Sequence, residues 1–198
     1  MIHGIPRKNI SEYLKYILSR KNLSFILYIT IGVSIIFLLT LLSLFLLHNL
    51  KMIFFILLLM FLGTLTNTLN RFIPFSIGLE LIMMGTILSS RVYSPVIGIM
   101  VGIISLTVSE FLIMRFKIGI AFSYLGIIVV SFLSHLFAGS DITYVGISLT
   151  IIYDAIILPG YFFTGSNPIK ICIFAFTHIA LNIWIFMKIA PFILRLMA

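Results

Sequence analysis

Four polar side chains in otherwise apolar sequence carry what chemistry this chain offers: Glu80, Asp154, His178 and Asn182. Asp154 stands in "IIYDAII" with no basic residue near it in sequence, and Glu80 stands among Leu79, Leu81 and Ile82. His178 and Asn182 are four residues apart, so on a helix they share one face. Ionisable groups in hydrocarbon are costly and are kept where they meet one another or a ligand, which makes each a functional candidate. Asp154 ranks first and Glu80 second. For the His178/Asn182 pair two readings stand side by side. One is a set of donors and acceptors for a buried polar ligand. The other is a hydrogen bond to another helix, with Asp154 as a partner. A third acid, Glu110, lies near the end of an apolar run with Arg115 five residues on, and reads first as half of an interfacial ion pair.

Catalytic and metal chemistry find little support. His135 and His178 are on separate segments, and a zinc site wants three or four ligands. No HExxH, GxSxG or phosphate-binding glycine loop is present. The single cysteine, Cys172, rules out an internal disulfide and any multi-cysteine site. The expectation is a protein that is not an enzyme and needs no cofactor.

The elements that position these groups must be membrane helices. Of 198 residues, 62% are hydrophobic and 9% charged, with mean hydropathy +1.27. Soluble domains run at about 45–50% apolar and about 25% charged. A transmembrane barrel would alternate apolar and polar residues, whereas these apolar runs are continuous. The fold class expected is all-α, a polytopic transmembrane helix bundle. The net charge of +8 comes from basic residues scattered at the ends of apolar runs, which argues for topology signals and against a nucleic-acid partner.

Residues 1–23 are the one sizeable polar piece. Within them Ser11–Leu18 either forms a short amphipathic helix on the bilayer surface or belongs to a solvated tail. Residues 24–198 form a single transmembrane domain with its core at 52–196. A crossing needs about 20 apolar residues. Seven candidates follow: Ser24–Leu47, Met52–Leu69, Phe75–Leu88, Tyr93–Met114, Ile118–Phe137, Thr143–Phe163 and Ile169–Ile189. The third is short. Gly, Pro, Asn and Ser mark the breaks, as in "PG" and "GSNP" between Asp154 and His178. Arg7, Lys8, Lys15, Arg20 and Lys21 precede the first candidate and place the N-terminus in the cytoplasm. Seven crossings would then leave the C-terminus outside. In the fourth candidate Gly98, Gly102, Ser105 and Ser109 form a stripe of small residues, which allows close helix approach, either within the bundle or by a docking subunit. Gly63, Thr64, Asn67, Thr68 and Asn70 make a weaker one in the second candidate.

The runs "RFIPFSIGLELIMMGTILSS" and "YSPVIGIMVGIIS", with the Asp of "IIYDAII" and the His…Asn of "FAFTHIALNIWIF", resemble a substrate-binding S component of an energy-coupling factor (ECF) transporter. The likeness covers roughly residues 52–196. It implies a six-helix bundle that binds a vitamin or similar small molecule and works with a transmembrane coupling subunit and two ATPases. It also implies that Phe72, Ile73, Pro74 and Phe75 form a lid loop. Glu80, Asp154, His178 and Asn182 would contact the ligand, and the small residues Gly63, Thr64 and Thr68 would face the coupling subunit. Two departures stand out. Ser24–Leu47 is one span more than the family has, and the charge pattern puts the lid loop on the cytoplasmic side where the family's faces outward.

An alternative resemblance is to the CAAX-protease-like intramembrane family, through Glu110…Arg115 and His178…Asn182. Phe111 replaces that family's second Glu, and His135 follows Phe132 by three residues instead of four. A non-transporting membrane scaffold that shares the S-component architecture, such as the rod-shape-determining membrane subunit, is the remaining alternative.

Overall fold

The computed structural model describes residues 46, 49–70, 78–113 and 118–198. The polar segment 1–23, the lid-loop residues Phe72–Phe75, Arg71, Arg115, Lys117 and nearly all of the first candidate span fall outside them. Backbone contacts divide the chain after Leu50, and the bundle described here is the unit Lys51–Ala198.

The described chain is all-helical. In order it forms α1 (Asn49–Asn70), α2 (Ile82–Val92), α3 (Pro95–Ile113), α4 (Ile120–Leu136), α5 (Ile142–Phe163), α6 (Pro168–Lys188) and α7 (Ala190–Met197). Four segments are long and apolar enough to cross a membrane: Asn49–Asn70, Pro95–Leu112, Ile142–Phe163 and Pro168–Lys188. At about 1.5 Å per residue they extend ~27–33 Å, close to the hydrocarbon thickness. Their outer faces carry exposed Phe54, Phe61, Met100, Phe111, Phe176 and Trp184, the composition lipid accepts.

The bundle is built around α2. Nine of its residues, Ile82 to Ser90, are buried, and it touches α3, α4, α5, α6 and α7. Gly85 also approaches Leu59 of α1. This element corrects the third candidate span. The sequence predicts Phe75–Leu88, but the helix begins at Ile82 and ends at Val92. Its 11 residues reach ~16 Å, about half a crossing. Glu80 therefore lies on a non-helical turn before the helix and not several residues inside it. A topology counted on seven full crossings does not carry over to a bundle with a half-length helix at its centre.

Small residues set the spacing of the other helices. A side chain at Gly126 would meet Tyr153, one at Gly146 would meet Phe186, and one at Gly160 would meet Phe122. The stripe on α3 faces inward. Gly98 lies against Ser90, Ser131 and the Thr86 carbonyl, and Gly102 against Thr86 and Ile127. The Ser105 hydroxyl donates to the Val101 carbonyl at 2.6 Å, and Ser109 accepts from the Asn67 amide at 2.6 Å. The α1 set meets this stripe: Gly63 abuts Ile82 and Ser105, and the Thr64 hydroxyl donates to the Ser105 carbonyl at 3.3 Å. Thr68 Oγ1 is buried without a hydrogen-bond partner. Apart from Thr68, these small residues meet neighbours within the bundle.

The α5–α6 corner is fixed by local chemistry. Asp141 caps α5 through the Thr143 N–H at 2.7 Å, and Asn167 caps α6 through the Ile169 N–H at 2.9 Å, with Pro168 at the first helical position. Gly165, at φ 83°, ends α5 in the left-handed region. The Ser166 N–H reaches the Tyr161 carbonyl and the Gly165 N–H reaches the Phe162 carbonyl, a Schellman closure. This tight turn sends α6 back along α5 and brings Asp154 and His178 level.

Candidate functional site: a buried imidazole between two carboxylates

His178 is fully buried near the middle of α6. Its Nδ1 lies 2.8 Å from Asp154 Oδ1 on α5, and its Nε2 lies 3.5 Å from Glu80 Oε1 on the turn before α2. Asp154 is 2% exposed and Glu80 7%. Three of the four residues singled out in the sequence, from three separate segments, thus meet on one ring. The predicted bond between helices is made by His178 to Asp154. Asn182 does something else: its Nδ2 donates to the His178 carbonyl at 2.9 Å, within α6.

Packing fixes the plane of the ring. Phe174 stacks on it with centroids 5.1 Å apart and planes at 14°, and Tyr153 lies at 5.9 Å on a tilt of 49°. Phe174 is one helical turn before His178, the spacing at which side chains on a helix meet.

Glu80 is placed by backbone contacts on both sides of it. The Gly78 N–H donates to the Thr177 hydroxyl of α6 at 2.8 Å, and the Leu81 N–H donates to the Thr66 hydroxyl of α1 at 3.1 Å. Each threonine passes its own proton to a carbonyl one turn back, Thr177 to Ile173 at 2.8 Å and Thr66 to Leu62 at 2.8 Å. Its oxygen is thereby left free to accept. The turn is pinned at both ends with Glu80 between the pins, beside the N-terminal end of α2, where the peptide dipoles favour negative charge.

Sequence reasoning passed over Gly78, Thr66, Thr177, Phe174 and Tyr153. Phe174 was available from its spacing to His178 and Thr177 from its position next to it. Nothing local marks Thr66 or Gly78, whose roles depend on contacts between segments.

Four polar atoms at this centre are buried without a hydrogen-bond partner: Glu80 Oε1, Asp154 Oδ2, His178 Nε2 and Asn182 Oδ1. The Asn182 assignment is fixed by its bond, because exchanging its oxygen and nitrogen would set oxygen against the His178 carbonyl. Among the described residues no group of three or more His, Cys, Asp or Glu is arranged to hold a metal. The reason is visible: the two carboxylates approach opposite nitrogens of one ring and do not converge on a common point.

The other candidates lie apart. Glu110 is buried on α3, and α3 and α6 do not pack against one another. His135 is exposed at the end of α4 with Nδ1 3.1 Å from the Ser90 carbonyl. Glu110 and His178 thus stand on helices that do not touch, and Arg115 lies outside the described residues. No family model, curated protein or solved structure matches the chain.

Proposed function

We propose that the chain is a membrane-embedded binding subunit for a small polar molecule, of the S-component kind, with the Glu80–His178–Asp154 centre as its polar contact. The observation that carries this reading is the set of four unpartnered atoms around one imidazole. Native proteins leave few buried polar atoms unpaired, and a cluster of them marks a place where a ligand or water completes the bonding. In a bilayer the cost of leaving them bare is higher still. Three of the four are acceptors from Glu80, Asp154 and Asn182, so the solute presents N–H or O–H donors. The basic N-terminal segment keeps the N-terminus cytoplasmic, and a coupling subunit with ATPases supplies the energy.

The experiment is binding to the purified full-length protein in detergent, with a panel of water-soluble vitamins and small amines read by thermal unfolding. A ligand at 100 times its Kd stabilises the protein by about 2.7 kcal/mol. The expected result is stabilisation by at least one compound, abolished in Asp154→Ala and weakened in Asn182→Ala. No stabilisation across the panel, together with purification free of any ATPase or coupling subunit, overturns the reading.

A further inference from the structure

We propose that the space between His178 Nε2 and Glu80 Oε1 is a proton-binding site, so that the centre takes up and releases a proton and holds Glu80 onto α6 while the proton is there.

The argument begins with the hydrogens an imidazole can supply. With Asp154 ionised, the Nδ1 contact to Asp154 Oδ1, at 2.8 Å, takes the Nδ1 hydrogen. A neutral imidazole has then used its only N–H. Its Nε2 lone pair faces a carboxylate oxygen 3.5 Å away, and both of those atoms are buried with no other partner. Two acceptors facing each other in a dry core repel. One proton on either atom turns the pair into a donor and an acceptor and satisfies both at once.

Charge points the same way. With Glu80 and Asp154 ionised and His178 neutral, the centre carries two negative charges. Among the described residues no Lys or Arg is buried to offset them. The titratable groups facing the ring are Glu80 from the turn and Asp154 and Tyr153 from α5, while Phe174 from α6 adds no charge. Of the other helices on α6, α2 carries Arg91 at its far end from Glu80, and α7 carries an exposed Arg195. Burying uncompensated charge is strongly unfavourable, and groups in that position take up protons instead. Each proton gained removes one negative charge. It comes from water and returns to water, and no other species is consumed.

Proton loss has a mechanical consequence. The 3.5 Å approach turns repulsive, and Glu80 is driven off the ring. The turn itself stays attached through Gly78 to Thr177 and Leu81 to Thr66. Occupancy of the site thus decides whether Glu80 bridges to α6. The proton accounts for two of the four unpartnered atoms and leaves Asp154 Oδ2 and Asn182 Oδ1 for a solute; it is tested without any solute.

The chain has four histidines, so a full-length His3→Gln/His48→Gln/His135→Gln variant leaves His178 as its only imidazole. Nitrogen-15 NMR of that protein in micelles reads the protonation of both ring nitrogens. Infrared difference spectra against Glu80→Gln read any protonated carboxyl at Glu80. The expected result near neutral pH is a proton in the gap, seen either as a protonated His178 Nε2 or as a Glu80 carboxylic-acid band. Raising the pH removes it, and Glu80→Gln lowers by one the number of protons the centre releases in that titration. If folded protein near neutral pH shows an unprotonated His178 Nε2 and an ionised Glu80, the proposal is wrong. An unaltered proton release in Glu80→Gln overturns it as well. Should the triple variant fail to fold, single substitutions at His3, His48 and His135 assign the His178 signal by elimination.

Discussion

Gly78 approaches His178 so closely that a side chain at position 78 would fall on the backbone and Cβ of His178. That approach lets the Gly78 N–H reach Thr177 and sets Glu80, two residues on, opposite the imidazole. Position 78 needs the absence of a Cβ and not an unusual backbone angle, because the one glycine with positive φ among the described residues is Gly165.

Gly78→Ala is therefore expected to push the turn away from α6 and separate Glu80 from His178. Forcing one carbon into a packed contact costs about 1–3 kcal/mol. Gly139→Ala is the control, since a Cβ there meets nothing within 4 Å, and surface changes of that kind stay within about 0.5 kcal/mol. Denaturant unfolding in mixed micelles separates the two. Equal stability of the two variants would mean the close approach at Gly78 is not a constraint in the folded protein.

The Asp154–His178 bond predicts a non-additive mutant cycle. Asp154→Ala alone strands a buried N–H, and breaking a buried charge-assisted pair from one side costs about 3–5 kcal/mol. His178→Phe alone strands the Asp154 carboxylate. The double variant Asp154→Ala/His178→Phe removes both partners and should be more stable than the sum of the single losses by about 0.5–3 kcal/mol. Additive losses would show that the two groups do not bond in the membrane.

The parts of this site that were legible from sequence are those the bilayer itself exposes. An acid or an imidazole inside a long apolar run announces that it has an inside to face, which singled out Asp154, Glu80 and His178. What the sequence did not reveal was the secondary structure at Glu80, because hydropathy does not distinguish a buried coil from a buried helix. "SIGLELIMMG" is apolar on either reading, and the difference lies in where Gly78 and Leu81 send their N–H groups. The spacing of His178 and Asn182 was correct about their shared face and silent about direction: Asn182 serves the carbonyl of its own helix. Helix α7 lies beyond the last candidate span, which ended at Ile189, and Pro191 stands in its first turn, where proline is an ordinary residue. The small-residue stripe on α3 left open whether its partner was inside or outside the bundle, a question only packing answers.

That stripe gives a third prediction. A Cβ on Gly98 would meet the Thr86 carbonyl of α2, a backbone atom with little room to move. Gly98→Val should separate α3 from α2 and destabilise the isolated protein by about 1–3 kcal/mol. Gly85→Ala meets only contacts of 3.3 Å and beyond and should be tolerated better. A surface that served only to bind another subunit would show the opposite: Gly98→Val would leave the stability of the purified chain unchanged.

The cap of α5 predicts a pH dependence whose sign follows from its geometry. Asp141 accepts the Thr143 N–H, and this bond to the ionised form, with Arg91 nearby, holds its carboxyl below the usual aspartate range. Arg91 itself is fastened over the same loop by donating to the Phe137 and Ser140 carbonyls. A carboxyl whose pKa is depressed by folding stabilises the fold above its unfolded pKa. That contribution is lost as pH falls through the folded one. Asp141→Ala should therefore be less stable than the wild type near neutral pH, and the gap should close as acid protonates the capping group. Asp141→Asn keeps the acceptor without the charge, so its stability should lie between the two and lack this pH-dependent component. Unfolding temperatures from about pH 7 down to about pH 2, a range that spans the aspartate titration, provide the measurement. A wild-type advantage over Asp141→Ala that stays constant across the range would show that the ionised cap contributes nothing beyond its hydrogen bond.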